Sequence, residues 1–416
     1  MPLVWYVFAL IKAADRIEET YVKLTPVKKS NPESLVSETG RSIPPSGIRQ
    51  FFDIVYSTPD CISLGVGEPD FVTPWRISDT GIFAIQDGCT HYTPNRGLPE
   101  LRVLIAESIR KRHGVSYDPD EELIVTMGVS QGLDIALRSI INPGDEVILF
   151  EPCYVSYPAT VRLAHGRAVM IPTFLREGFA IDTDRLEKAI TPKTKALLLN
   201  YPSNPTGAEI SRKTLERIAE IADERNLLLL SDEIYSAITY GDPHISMVSI
   251  PGMKERTIYL DGFSKSHAMT GWRLGYVAGC RPFIDIMLKI HQFTALCAPS
   301  IAQYAAIEAL THSGRDVARM NEEYLRRRNF IVTAFNEMGL PCHRPEGAFY
   351  VFPDISPTGL DSHDFAIKLL RAEKVAVVPG VVFGESGENH VRCSFATSME
   401  NIREATKRIA RFIKSC

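Results

Sequence analysis

Residues 196–235 read ALLLNYPSNPTGAEISRKTLERIAEIADERNLLLLSDEIY. An apolar run at 196–199 leads into a stretch of turn formers at 200–207. A segment with helical spacing of its apolar positions follows at 211–226, and a second apolar run occupies 227–230. Runs this short, apolar at successive positions and bounded by turn residues, predict strands covered on both faces. With a helix between them they make a strand–helix–strand unit, which needs a mostly parallel sheet.

The same grammar extends outward. Further short apolar runs lie at 146–150 (EVILF), 167–171 (RAVMI), 257–260 (TIYL) and 274–278 (LGYVA). Helical periodicity appears at 99–113, where Pro99 suits a first turn. It appears again at 130–141, after a turn at Gly128 and before the breaker Asn142-Pro143-Gly144-Asp145. Residues 281–335 read as helical. The remainder mixes a helix at 361–373, strands at 375–379 and 390–395, and a closing helix at 399–414. This predicts a large α/β domain followed by a smaller α+β one. The Ser-, Pro- and Gly-rich stretch 31–50 reads as an extended arm.

Composition narrows the function classes. The 416 residues carry 46 Lys+Arg against 50 Asp+Glu, a net charge of −4, with 45% hydrophobic residues. These are globular values, and the charge gives no general attraction to nucleic acid or to anionic lipid. The eight cysteines form no C-x-x-C pair, which fits reduced thiols in a cytoplasmic protein, and no metal-ligand spacing stands out. The apolar run at 2–11 is about half of the roughly 20 residues that a membrane span needs, and no Lys or Arg precedes it.

Ligands of open α/β sheets bind beyond the carboxyl ends of the strands, so the residues that follow each run matter most. After 196–199 comes Asn200, then Asn204-Pro205-Thr206-Gly207. After 227–230 come Asp232 and Tyr235, and after 257–260 come Ser264 and Lys265. A lysine in a dry or cationic pocket has a lowered pKa, and its neutral amine can form a Schiff base. Ser264 and Arg273 can grip a phosphate. So can the backbone of Val129 and Ser130, if a helix starts there. Amine, phosphate grip and a carboxylate for a ring nitrogen are what pyridoxal 5'-phosphate (PLP) requires of a protein.

Six motifs in order carry a family resemblance: Tyr92-Thr93-Pro94 with Gly97, Asn204-Pro205-Thr206-Gly207, Asp232-Glu233-Ile234-Tyr235, Ser264-Lys265 through Arg273, Glu346-Gly347-Ala348-Phe349-Tyr350, and Val391-Arg392-Cys393-Ser394-Phe395. The sequence resembles the class I/II aminotransferases of the fold-type-I PLP-dependent family, of the aspartate/aromatic kind, from about residue 46 to the end. The resemblance implies an α/β large domain with a mostly parallel seven-stranded sheet over 80–320. A small α+β domain would come from 46–79 and 321–416, after an extension at 1–45. It implies a homodimer with shared active sites, and no nucleic-acid or membrane partner.

The resemblance also assigns roles. Lys265, Asp232 and Tyr235 are the implied catalytic residues: the lysine holds the cofactor and moves the proton, and Asp232 pairs with the ring nitrogen. Asn204 and Tyr235 bind the ring's phenolic oxygen. Ser264, Arg273, Val129 and Ser130 bind its phosphate, Tyr154 stacks on the ring, and Tyr92 reaches the phosphate of a neighbouring subunit. Arg392, with Gly67 and Asn204, holds the substrate α-carboxylate. The family often has a second Ser three residues before the lysine; here that position is Gly262. The implied reaction is ping-pong transfer of an α-amino group to a 2-oxo acid such as 2-oxoglutarate. The donor would be aromatic or broad, with aspartate second, as the segment Ser46-Gly47-Ile48-Arg49 and the run 153–157 suggest. A C–S lyase or other β-eliminating enzyme on the same scaffold remains an alternative, and a PLP-sensing regulator a remote one.

Overall fold

The structure, a computed structural model, describes residues 31–45, 47 and 58–415. The apolar run 2–11, together with Ser46, Ile48 and Arg49, lies outside the described residues. Residues 1–43 and 44–416 are two compact units. In the first, the part of the expected extended arm at 32–42 is instead two short helical turns, Pro32–Leu35 and Glu38–Ser42. Side-chain caps explain the difference: Asn31 accepts from the Glu33 N–H, and Ser37 from the Gly40 N–H.

The second unit holds twelve described strands: β1 (Ile62–Ser63), β2 (Leu123–Thr126), β3 (Glu146–Glu151), β4 (Arg167–Pro172), β5 (Thr194–Asn200), β6 (Leu228–Asp232), β7 (Thr257–Gly262), β8 (Gly275–Ala278), β9 (Tyr350–Val351), β10 (Val375–Ala376), β11 (Val378–Pro379) and β12 (Val391–Ser394). Seven of them form one sheet in the order β2-β8-β7-β6-β5-β3-β4, and only β8 runs antiparallel to its neighbours. Residues 263–274 cross no face of the sheet as a helix, so the chain turns back at the sheet's end and β8 returns antiparallel.

Alternation along β5 and β6 shows why the middle of the sheet reads as continuous apolar sequence. Leu197, Leu199 and Leu229 pack on one face with Leu215 and Ile218 of the helix Arg212–Glu224. Ala196, Leu198 and Leu230 pack on the other with Leu133 and Leu137 of the helix Gly128–Ile140. Each such buried leucine or isoleucine contributes about 1.5–3 kcal/mol. β4 departs from the expectation of two covered faces. It is an edge strand with Arg167 exposed and only Ile171 fully buried.

Helix limits follow local chemistry. Helix Arg212–Glu224 starts after its cap Ser211 and stops two residues before the expected 226, because Asn226 takes the left-handed conformation (φ 51°). Helix Gly128–Ile140 starts at the glycine itself, two residues earlier than expected. The helical stretch 281–335 is three helices, Arg281–Thr294, Ser300–His312 and Gly314–Glu337.

A separate core surrounds Phe349, Val351, Phe365, Val375, Phe395 and Ile409 and includes Leu64. There β1 pairs in parallel with β10, Ile62 opposite Val375, so early and late chain share one small sheet. The sheet β11-β12-β9 beside it carries Arg392.

Parallel register brings the site together. Asn200 lies opposite Asp232, and Asp232 opposite Leu260, so β5 and β6 end level while β7 runs two residues further, to Gly262. Gly262, at the end of β7, faces Gly275 of β8. A Cβ there would stand 2.9 Å from the Gly275 Cα and 3.0 Å from the Leu274 carbonyl oxygen. This backbone contact explains the glycine where the family often has serine. Gly262→Ser is expected to destabilise the fold by about 1–3 kcal/mol in urea unfolding. Parental stability in that variant would show that the two strands do not pack this closely.

Candidate active site

A cavity of about 770 Å³ opens at the carboxyl ends of β5, β6 and β7, against the N-terminus of helix Gly128–Ile140. Lys265 lies inside it, in the loop after β7, and its Nζ donates to the Gly67 carbonyl at 2.6 Å. Burial lowers its pKa to about 8; Arg392 and Arg273 add to the effect, while Glu68 and Asp232 oppose it. The amine is therefore neutral in about a tenth of molecules at pH 7 and in half at about pH 8, far more than an ordinary lysine, and the neutral form is what a nucleophile or base must be.

Asp232 is buried at the end of β6. Its Oδ2 accepts from the Tyr157 hydroxyl at 2.8 Å and its Oδ1 from the Ile234 N–H at 3.2 Å. Burial outweighs these bonds and raises its pKa to about 6. A cationic ring nitrogen brought against it would favour the carboxylate again. Asn200 braces the neighbouring turn: its Nδ2 donates to the Asp232 carbonyl at 2.9 Å, and its Oδ1 accepts from the Asn204 N–H at 3.2 Å.

Arg392 stands across the cavity, 2% exposed. Its Nη1 donates to Asn204 Oδ1 at 3.0 Å and its Nη2 to the Gly65 carbonyl at 2.6 Å, while its Nε has no partner. The guanidinium lies over the rings of Tyr350 (4.6 Å) and Phe383 (4.9 Å). Among the described residues no carboxylate pairs with it. A buried cation without a counter-charge is costly, and a substrate carboxylate would supply one with forked geometry. The Tyr235 and Tyr350 hydroxyls are 2.8 Å apart, and Tyr350 also donates to Gly67 O at 3.3 Å. Burial pushes both phenols up, so they stay protonated.

The opposite end of the cavity is built for an anion. Helix Gly128–Ile140 has no side-chain cap, so its first N–H groups, with Val129 and Ser130, face the cavity beside Ser264 and Arg273. Gly128 (φ +72°) makes the room: a Cβ there would be 2.8 Å from Arg273 Nη2. Tyr154 lines the cavity edge-on to Tyr157, with ring centroids 5.6 Å apart. Of the sequence candidates, Lys265, Asp232, Tyr235, Asn204, Ser264, Arg273, Tyr154, Val129, Ser130, Gly67 and Arg392 all line one cavity. Tyr92 does not; it is 83% exposed.

Comparison with known proteins places this geometry. The model of the family "Aminotransferase class I and II" matches residues 59–409. The chain belongs to that family. It is 51% identical to the putative aminotransferase YugH of Bacillus subtilis strain 168, over 91% of this chain and 98% of that one. It is 46% identical to an aspartate aminotransferase of Pyrococcus abyssi, over 89% and 96%. The structure of an aromatic aminotransferase from Pyrococcus horikoshii OT3 superposes with a TM-score of 0.84 at 44% identity, covering 88% of this chain and 99% of that one. This chain is thus a transaminase with the fold-type-I architecture, the mostly parallel seven-stranded sheet included.

Three further residues of this aminotransferase's site had no role assigned from sequence. Tyr157 bonds Asp232 from 75 residues earlier in the chain, a contact with no local signal. Tyr350 ends the motif 346–350, where the aromatic itself was the available clue. Asn200 ends a strand, one residue after the apolar run. For ligand-free protein, labelling of Lys265 by an amine-reactive probe, read by peptide mass spectrometry, is expected to rise with a midpoint near pH 8. A midpoint near the ordinary lysine value of about 10.4 would contradict the dry, cationic setting of this amine.

Proposed function

We propose that this aminotransferase works with PLP and moves the α-amino group of an aromatic or otherwise broad range of L-amino acids to a 2-oxo acid such as 2-oxoglutarate, by ping-pong kinetics. The observation that carries the reading is the buried, carboxylate-free Arg392 facing the same cavity as Lys265 and Asp232. The donor set fits PLP. Uncapped helix N–H groups with Arg273 suit its phosphate, and a buried carboxylate with a raised pKa suits its ring nitrogen. An amine of lowered pKa suits its aldehyde carbon. Ser264, Arg273, Val129 and Ser130 would hold the phosphate, Asp232 the nitrogen, Asn204 and Tyr235 the phenolic oxygen, and Tyr154 the ring. When bound, PLP supplies a carbonyl for the substrate amine and a cationic ring that draws electron density from the α-carbon.

The chain's own groups do the rest. Arg392 binds the α-carboxylate with Asn204 and the Gly67 backbone, which fixes the α-carbon near Lys265 Nζ. The neutral Nζ takes the α-proton and returns it. Tyr157 keeps the Asp232 carboxylate oriented. Donor and acceptor use Arg392 in turn, which supports ping-pong kinetics. The cations lining the cavity are Lys265, Arg273 and Arg392. With those engaged, neutral groups such as Ser156 and Thr160 are left for a second carboxylate. This favours an aromatic donor and keeps aspartate second; relatives bear both names.

In this reading the protein is a cytoplasmic homodimer, with the described cysteines free. Tyr92 would reach the phosphate bound by a second copy. Exposed Trp75, Phe83 and Phe293 support a covered face there. The separate core around Phe349 supports a small domain from 46–79 and 321–416 beside a large one over 80–320. Among the described residues no helix is long and apolar enough to cross a membrane.

Purified protein with 2-oxoglutarate is expected to form glutamate from tyrosine or phenylalanine faster than from aspartate. Pyruvate without an acceptor would point to elimination, and neither product would overturn the proposal. Lys265→Ala is expected to lower turnover by about 10³-fold with the fold intact by circular dichroism. Arg392→Lys should raise KM for amino acid and 2-oxo acid alike by roughly 10–100-fold, since forked charged hydrogen bonds are lost.

A further inference from the structure

Outside the cavity, a buried ionic cluster lies directly behind Asp232. His244 sits at its centre. Its Nδ1 is 3.1 Å from both carboxylate oxygens of Glu209, and its Nε2 is 2.9 Å from Glu233 Oε2. An imidazole with carboxylates on both nitrogens must donate from both, so it is the cation. Glu233 is buried, and its Oε1 accepts from the Ser231 and Ser246 hydroxyls at 2.8 and 2.6 Å.

The two carboxylates belong to different parts of the site. Glu209 follows Gly207 of the turn that carries Asn204; Glu233 follows Asp232. We propose that His244 is a positioning residue, a buried imidazolium that ties the Asn204 turn to the strand end bearing Asp232 and offsets the Glu233 charge beside that carboxylate. The inference rests on the reading of Asp232 and Asn204 as the groups that face PLP.

The surroundings leave His244 as the cation of this pair. His113, at the end of the helix Pro99–His113, is 3.9 Å from Glu233 Oε2 and has its ring centroid 6.3 Å from that of His244. Burial, reinforced by Arg112 and His244, lowers its pKa to about 4, so it is neutral. Arg112 is engaged by Asp261 at 2.9 Å. Burial works against charge on His244, but Glu233 and Glu209 outweigh it and raise its pKa to about 10. The raised value means that the clamp's contribution to stability is complete below the ordinary histidine value of 6.5 and is lost as pH rises through about 10. Without the imidazolium, the buried Glu233 and the partly buried Glu209 would face each other as like charges. The Glu233 charge would then hold the proton on Asp232 more tightly, and the turn could move away from the strand.

The test uses the full chain with and without PLP. Without PLP, the melting temperature of the parent is expected to fall between pH 7 and pH 10, and that fall should flatten in His244→Gln. With PLP, binding followed by tyrosine fluorescence at pH 7.5 should weaken about tenfold in His244→Gln. It should recover to within about threefold in His244→Gln/Glu233→Gln, as expected of a coupled charge pair rather than of lost packing. Unchanged PLP affinity in folded His244→Gln, or a double variant weaker than either single one, would overturn the proposal. Should His244→Gln fail to fold, Glu209→Gln leaves the His244–Glu233 pair in place and is expected to weaken PLP by about threefold. Parental affinity there would equally overturn it. A parent chain that binds no PLP would defeat the cofactor reading, while the melting profiles would still decide the clamp.

Discussion

Everything at this site depends on the in-register parallel pairing of β5, β6 and β7. Asn200 is opposite Asp232, and Asp232 opposite Leu260, so β5 and β6 end at one level and β7 ends two residues beyond it. Slippage by one residue would turn Asp232 to the other face of the sheet and carry the leucines of two cores out of their layers. The burial that sets the register is therefore the same burial that aims the carboxylate. Stability and site geometry share one cause, and the turns after the strands inherit their positions from it.

What the register collects is a set of groups under electrostatic tension. Lys265 is held short of its ordinary proton affinity, Asp232 is held above its own, and Arg392 is buried with one nitrogen unpartnered. Each is a cost to the ligand-free chain, and each is relieved by the charge that a PLP-bound amino acid would bring. The cluster of Glu209, His244 and Glu233 is the opposite case, closed on itself and satisfied. It lies one residue from Asp232, so a saturated ionic knot backs an unsaturated one.

Much of this was legible in the chain. Six apolar runs marked strands because both faces of the sheet are covered, which makes sequence and environment uniform. β2 was not marked: its four residues LIVT pass straight into the Gly128 turn and leave no interval to frame them. β4 was overestimated, because an edge strand and a central strand can share apolar composition while differing in neighbours. The caps Asn31 and Ser37 turned an expected arm into two helical turns, since a short side chain can close a turn that composition alone reads as open. Among site residues, most of those that stand just after strands or in motifs were given their roles, while Asn200 and Tyr350 were visible there without one. Tyr157 was given none either, because its partner lies far away in sequence.

By itself, the sequence determined the α/β plan, the family and the identities of the groups that carry chemistry. Periodicity and motif spacing are local properties that survive without coordinates. Only the tertiary structure decided which groups share a dielectric and a distance. It joined Arg392 to Asn204 across 188 residues, set Tyr157 against Asp232, and left Tyr92 on the surface. It also closed Glu209 and Glu233 around His244. Proton affinities follow from those long-range approaches and from loss of water, and neither is encoded in the order of neighbouring residues.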